Sequence, residues 1–202
     1  MMKTAYAAAS LAAFLGAAAL TPSAFADPVE YEFDKTHTAI RATWTHLGFS
    51  HQAIQFTDFD GVLMLDFEEP ANSTVDVTFN LADGFWVGAD QDRFVGHLSS
   101  PDLFNIAEYP TARFVATGFE TEDGETGQMM GDLTLLGQTH PVTLDVTLNQ
   151  RGPNPFSETP TAGFTATGEI LRSQWGLGYA APAVSDEVRI EINTELTVVT
   201  EE

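Results

Sequence analysis

The chain has 202 residues, with 29 acidic against 8 basic side chains, a net charge of −21 and no cysteine. A surface this negative is repelled by nucleic-acid phosphates and by anionic headgroups, so nucleic acid is excluded as a partner. The lack of cysteine rules out disulfides, thiol nucleophiles, cysteine zinc sites and iron–sulfur clusters, while the length suits one domain with a sizeable core.

Lys3, the apolar run from Ala5 to Leu20 and the small-x-small ending Ala24-Phe25-Ala26 read as a secretory leader cut before Asp27. The run is too short and too alanine-rich for a bilayer span. Residues 1–26 are therefore assigned to a cleavable signal peptide. Residues 27–202 form a single domain exported to the periplasm, with no integral membrane segment after processing.

Beyond Asp27 the dominant period is two, which places alternate side chains on opposite faces of a strand. Weaker alternation over 31–34, 38–47 and 53–66 leads to a clear strand, in which Val75, Val77, Phe79 and Leu81 alternate with Thr74, Asp76, Thr78 and Asn80. Residues 89–109 break the pattern. There Ser100-Pro101-Asp102-Leu103-Phe104 carries an N-cap residue, an early proline and an acidic first turn, so one or two short helices are expected near residues 89–106. Alternation resumes over 111–119 and 128–136, through Val142, Leu144, Val146 and Leu148, over 162–171, and through Val188, Ile190, Ile192, Leu196 and Val198. Turn signals separate these runs at Glu69-Pro70-Ala71-Asn72, Asp123-Gly124-Glu125, Gly137-Gln138 and Gly152-Pro153-Asn154-Pro155. Eight or nine half-buried antiparallel strands make an all-β sandwich or barrel, and the period alone does not choose between them.

Motifs for catalysis are missing. There is no Gly-x-Ser-x-Gly elbow, phosphate-cradling glycine loop or dinucleotide fingerprint. Asp90, Asp92 and Arg93 read as a solvated face in so acidic a chain. The five histidines show no His-x-x-x-His pair and no His/Glu spacing that would hold zinc, so no metal is expected. Asp58-Phe59-Asp60-Gly61 lacks the further oxygen ligands of a calcium loop.

Five segments, in order, carry a family resemblance: Phe33-Asp34-Lys35-Thr36-His37-Thr38 running into Ile40, Trp44 and His46; Asp92-Arg93 with His97-Leu98 and Ser100 to Phe104; Tyr109-Pro110-Thr111-Ala112-Arg113-Phe114; Gly131 to Val142; and Arg172-Ser173-Gln174-Trp175-Gly176. From Tyr31 to Val199 the chain resembles the YceI-like family of periplasmic, lipocalin-like proteins. Thr38, Trp175 and the segment 83–88 depart from that family's usual pattern. The resemblance implies an eight-stranded antiparallel lipocalin-like β-barrel that encloses a polyisoprenoid, an isoprenoid quinone or a fatty-acid-like chain. Such a protein is a binding or carrier protein and not an enzyme, with no cofactor beyond its apolar small-molecule ligand. A homodimer is compatible with this reading.

Small residues mixed with large ones on the inward faces, such as Phe114, Ala116 and Gly118 or Ala162, Phe164, Ala166 and Gly168, are the physical case for room along the axis; a mixture that simply fits the barrel's taper is the alternative. Strand parity gives the lining as Ile40, Trp44, His46, Phe56, Phe59, Leu63, Phe79, Phe114, Phe164 and Ile170, with Arg172 and Trp175 closing one mouth. Two rivals stand beside the carrier: a filled-barrel, stress-related interaction module with a protein partner, and a lipid-modifying enzyme built on His46.

Overall fold

The computed structural model describes residues 27–82 and 84–200, so the proposed leader, 1–26, lies outside the described residues. The strand segments are β1 (Val29–Phe33), β2 (Ala39–His46), β3 (Ser50–Phe56), β4 (Phe59–Leu65), β5 (Thr74–Asn80), β6 (Phe85–Trp86), β7 (Thr111–Thr121), β8 (Thr126–Leu135), β9 (Gln138–Pro153), β10 (Pro160–Leu171) and β11 (Glu187–Val198). One helix, α1 (Gln91–Leu98), and two 3-10 turns, Pro70–Asn72 and Arg172–Trp175, complete the described elements.

All pairings are antiparallel, and they close on themselves. The ring runs β1-β4-β5-β7-β8-β9-β10-β11 and returns to β1, where Tyr31 faces Val198 and Phe33 faces Leu196. Three staves of this eight-stranded barrel are broken into two segments each. β2 continues β1 along β11, with Ala39 opposite Asn193 and Thr43 opposite Arg189. β3 runs beside β2 as β4 runs beside β1, and β6 joins β3 through Phe85 and Phe56. Closure between β1 and β11 joins the two ends of the ring and leaves unpaired edge along β3 and the short β6.

The break between β1 and β2 has a local cause. Asp34 Oδ1 accepts the Thr36 backbone N–H at 2.9 Å and its hydroxyl at 2.6 Å, an Asx turn that competes with the ladder. Asp34 Oδ2 lies 2.7 Å from His37 Nδ1, and the Thr38 hydroxyl donates to Asp34 O at 2.8 Å and meets Thr194 Oγ1 at 2.8 Å. The Asp34–Thr38 segment thus bends the first stave without releasing it from β11.

The helix forms upstream of the Ser100 signature. α1 ends at Leu98, and residues 99–109 make successive turns in which Leu103 N and Asn105 N both donate to Ser100 O, at 3.0 and 2.9 Å. Asn105 has φ +44°, the left-handed conformation, which stops the Ser100 turn from continuing as a helix, and a separate turn starts at Asn105 O, which accepts from Glu108 N and Tyr109 N. No helix among the described residues is long and apolar enough to cross a membrane.

Inward side chains pack in two stories. Ile54, Leu81, Phe85, Leu98, Phe104, Leu135 and Trp175 fill the end near α1, and Tyr31, Ile40, Phe59, Leu63, Val77, Ala162 and Leu196 fill the other. Some inward glycines are spent on neighbours. A Cβ at Gly131 would lie 2.2 Å from Phe114 Cζ, and one at Gly168 would lie 2.6 Å from Leu144 Cδ2. The missing side chain at Gly168 therefore adds no room along the axis; Leu144 already occupies it.

Candidate ligand-binding site

A cavity of about 580 Å³ runs along the barrel axis. Its size falls within the roughly 300–1,000 Å³ of small-molecule sites. At the α1 end the wall is Trp44, Phe94, Leu98 and Leu103 with Leu177, Tyr179 and Val184 from the loop before β11. Ala42, Ile54, Phe56, Phe79, Phe114, Leu144, Ala166 and Ile190 line the middle. Leu63, Phe67, Val75, Phe119, Met129, Val146, Leu148 and Phe164 line the far end. Apart from Phe67, the middle and far-end residues are alternate residues of strands whose other face is polar, which is why they are apolar.

An aromatic stack stands at the far end. Phe67, in the loop after β4, lies parallel to Phe164 at 6.3 Å and carries the Arg151 guanidinium 4.0 Å above its ring. Asp66 holds that loop: its buried carboxylate accepts Glu68 N at 2.9 Å, Glu69 N at 2.8 Å and Asn72 Nδ2 at 3.1 Å. These bonds keep the Asp66 carboxyl below its ordinary pKa, the Glu69 amide contributing most.

Polar groups at the α1 end are few. His46 and His97 line the cavity at its exposed rim, and Tyr179 meets His97 edge-on at 6.0 Å. Arg172 is buried on the wall. Burial pushes its guanidinium pKa below the ordinary value, against the opposing pull of Asp186. The Arg172 donors tie down the 177–185 loop: Nε donates to Ser185 O at 2.8 Å, Nη2 to Tyr179 O at 3.0 Å and Val184 O at 2.9 Å, and Nη1 to Leu177 O.

Of the residues expected on the wall, the structure brings Ile40, Trp44, His46, Phe56, Leu63, Phe79, Phe114, Phe164, Ile170 and Arg172 to the cavity. Phe59 and Trp175 do not reach it. Phe59 packs against Phe33 at 5.2 Å and Phe79 at 6.3 Å, and those two rings, which do line the cavity, cover it. Trp175 is fully buried beside the β8–β9 turn, where its Nε1 donates to Leu133 O at 2.9 Å and His140 meets its ring edge-on at 5.1 Å. Both are packing residues. Phe94 and His97 were within reach of sequence reasoning, because they sit three apart on one face of α1. Phe67 and Leu177 to Val184 lie on loops and carry no periodic signal.

The fold also gathers Asp34, His37 and Glu195, whose ligand-type atoms lie within 4.8 Å of one another. Spacing along the chain does not show this, because Glu195 arrives through the β1–β11 pairing. The Asp34 carboxylate is already engaged by Thr36 and His37, which hold its pKa down to about 2, while Asp34 and then Glu195 raise that of His37. The cluster works here as the lock of the first-stave bend.

Residues 31–196 match the YceI-like domain. Protein YceI of Escherichia coli O157:H7 is 36% identical over 168 residues, covering 82% of this chain and 85% of that protein. Among solved structures, BcnA of Burkholderia cenocepacia superposes with a TM-score of 0.71 at 23% identity, over 81% of this chain and 98% of that one. A polyisoprenoid binding domain from Saccharophagus degradans, implicated in plant cell wall breakdown, shares the fold at a TM-score of 0.58 and 13% identity, over 85% and 99% of the two chains.

Proposed function

The chain belongs to the YceI-like domain family, and on that premise we propose that its barrel holds the hydrocarbon chain of a long apolar amphiphile, as a periplasmic binding or carrier protein and not as an enzyme. The polyisoprenoid, isoprenoid quinone and fatty-acid-like chain are the cargo classes in question. The observation that carries this reading is the apolar cavity of about 580 Å³ running along the axis. A methylene takes up about as much room as a water molecule, roughly 30 Å³, so the cavity holds on the order of twenty carbons. At about 0.8 kcal/mol per buried CH₂ the gross gain is about 16 kcal/mol, against association costs of about 4–15 kcal/mol. Apolar walls alone therefore suffice for retention.

The name of the Saccharophagus relative supports an isoprenoid cargo. A filled barrel would leave no such cavity, which weighs against the interaction-module alternative. His46 stands exposed at the rim, and its imidazole has no hydrogen-bond partner among the described residues that would orient it as a base. That placement favours a contact with the ligand over proton transfer. Export rests on the leader in residues 1–26, and amino-terminal sequencing of the secreted form should begin at Asp27.

Native mass spectrometry of the protein purified without detergent from its own periplasm, followed by solvent extraction, tests the proposal. A stoichiometric lipid of a few hundred daltons supports it and names the cargo. A bare mass that persists after incubation with quinones and fatty acids refutes it.

A further inference from the structure

The two ends of the tunnel differ in charge. Asp66, Glu120 and Glu125 line the far end, where Arg151 is occupied by the Phe67 ring. Beside it a second, shallow cleft is bordered by Glu69, Glu122, Asp123 and Asp145. At the α1 end the buried charge on the wall is the Arg172 cation, only 8% exposed, whereas the other lining cation, Arg41, and the α1 carboxylate Asp92 are exposed to solvent.

Arg172 is not neutralised by its neighbours. A guanidinium has five N–H donors. Four of them reach the carbonyls of Ser185, Leu177, Tyr179 and Val184, and the second Nη1 hydrogen has no acceptor among the described residues. Asp186, the carboxylate whose field acts on it, spends its oxygens on Ser173 N at 2.8 Å and Ser173 Oγ at 2.6 Å and makes no ion pair with Arg172. Carbonyl dipoles satisfy hydrogen bonds without cancelling a full charge. A buried cation with one donor unspent is costly unless something supplies the missing acceptor. Tying down the 177–185 loop requires the four bonds already made and leaves the fifth unexplained.

We infer that the bound amphiphile lies with its polar head at the α1 end against Arg172, and that this head presents an acceptor oxygen, a carboxylate or a carbonyl, and not an ammonium. This rests on the proposed occupancy of the tunnel. The order it demands is opposite to the one the whole molecule's charge would give. A net charge of −21 draws cationic amphiphiles toward the protein and repels carboxylates, so a carboxylate preference has to come from a local cation.

The test is a titration of delipidated wild-type protein with dodecanoate, a decyl-substituted benzoquinone and dodecylammonium, read by calorimetry at neutral pH and moderate salt. A charge-assisted hydrogen bond predicts about ten- to hundredfold tighter binding of dodecanoate than of dodecylammonium. The benzoquinone arm separates a carbonyl head from a carboxylate head. Arg172→Gln should bring the carboxylate-to-ammonium ratio to one or below while longer chains still bind tighter. Equal or tighter binding of dodecylammonium by the wild type overturns the inference, and needs no variant to fold. The wild-type order surviving in a folded Arg172→Gln protein overturns the assignment to Arg172. If none of the three binds, the tunnel-occupancy reading itself fails, a result distinct from a reversed order.

Discussion

Ala166 and Ala162 sit on the same face of β10, two pleats apart, and the structure gives them opposite surroundings. Ala166 lines the cavity, whereas Ala162 is completely buried among Tyr31, Phe59, Leu63 and Leu196 and off the cavity wall. Leucine at either position adds three carbons. At Ala166 they enter open space and displace as much of the ligand's chain, so at about 0.8 kcal/mol per CH₂ the bound state loses about 2.4 kcal/mol, an affinity drop on the order of fiftyfold. The fold itself should hold steady or gain about 1 kcal/mol as part of the cavity fills. At Ala162 the same carbons meet packed neighbours, and overpacking costs about 1–3 kcal/mol of stability. Chemical denaturation of both delipidated variants, with titration of a fluorescent long-chain ligand, reads the two effects separately. Ala166→Leu destabilising the protein as much as Ala162→Leu would mean that no space exists at Ala166. Unchanged affinity in a stable Ala166→Leu protein would mean that the ligand does not occupy the middle of the barrel.

Trp175→Phe removes the donor to Leu133 O and should cost about 1–3 kcal/mol of stability, with the affinity of the folded protein unchanged because the indole is off the wall; a binding defect in the folded variant would return Trp175 to the site. Gly131→Ala places a methyl carbon 2.2 Å from Phe114 Cζ and 2.8 Å from Val115 O, so it should destabilise by about 1–3 kcal/mol and push the Phe114 ring into the cavity, weakening binding in the same titration. The Asp34–His37 pair sets a pH window. Asp34 is held at about 2, so its contribution is present above the ordinary carboxylate pKa of 3.8 and is lost as pH falls toward 2. The His37 pKa is raised, so its contribution is complete below 6.5 and is lost as pH rises through the raised value. Thermal melts across pH should therefore show a broad stabilising plateau between these limits that flattens in Asp34→Asn, and in that variant the His37 ring protons should titrate nearer 6.5 by NMR.

Strands were readable because a half-buried strand writes its geometry directly into the chain. Val142, Leu144, Val146 and Leu148 alternate in the sequence and point inward in β9. Where the backbone leaves that period, local sequence stops being sufficient. Ser100-Pro101-Asp102 has the composition of a helix start, yet the left-handed Asn105 ends the turn it begins, and the helix forms over Gln91–Leu98. Parity says which way a side chain faces and not what stands in front of it. Phe59 faces inward like Leu63, but only Leu63 reaches the cavity, because Phe33, from the neighbouring β1 that lies far upstream in the chain, covers Phe59 together with Phe79. Phe67, Tyr179 and the carbonyls around Arg172 come from loops whose positions are set by side-chain bonds to Asp66 and Arg172. Arg172 stands out in the sequence as a residue of one mouth, but its carbonyl partners do not, and Asp66 is one acid among 29.

A closed barrel must open somewhere for a long chain to enter, and the hydrogen-bond ladder says where opening costs least. From β7 to β11 the staves run ten to sixteen residues, and β9 is paired on both sides along much of its length. Separating any of these means breaking several backbone bonds at once. Beside β3, however, the third stave is reduced to the two residues of β6, and β7 pairs with β5 without reaching β6. The gap is spanned by α1 and the turns of 99–109, which supply Phe94, His97, Leu98, Leu103 and Phe104 to the cavity. α1 is two turns long, its N-cap Asp90 makes no side-chain cap bond, and its tether to β6 is the Gln91 side chain, bonded to Val87 N and Phe85 O. Elements held by so few bonds open at far lower free energy than paired strands. In hydrogen-exchange mass spectrometry of the delipidated protein, α1 amides should exchange well before those of β9, and ligand should slow α1 while leaving β9 unchanged. Exchange of α1 as slow as that of β9, or ligand protection confined to the far end around Phe67, would place the entrance elsewhere.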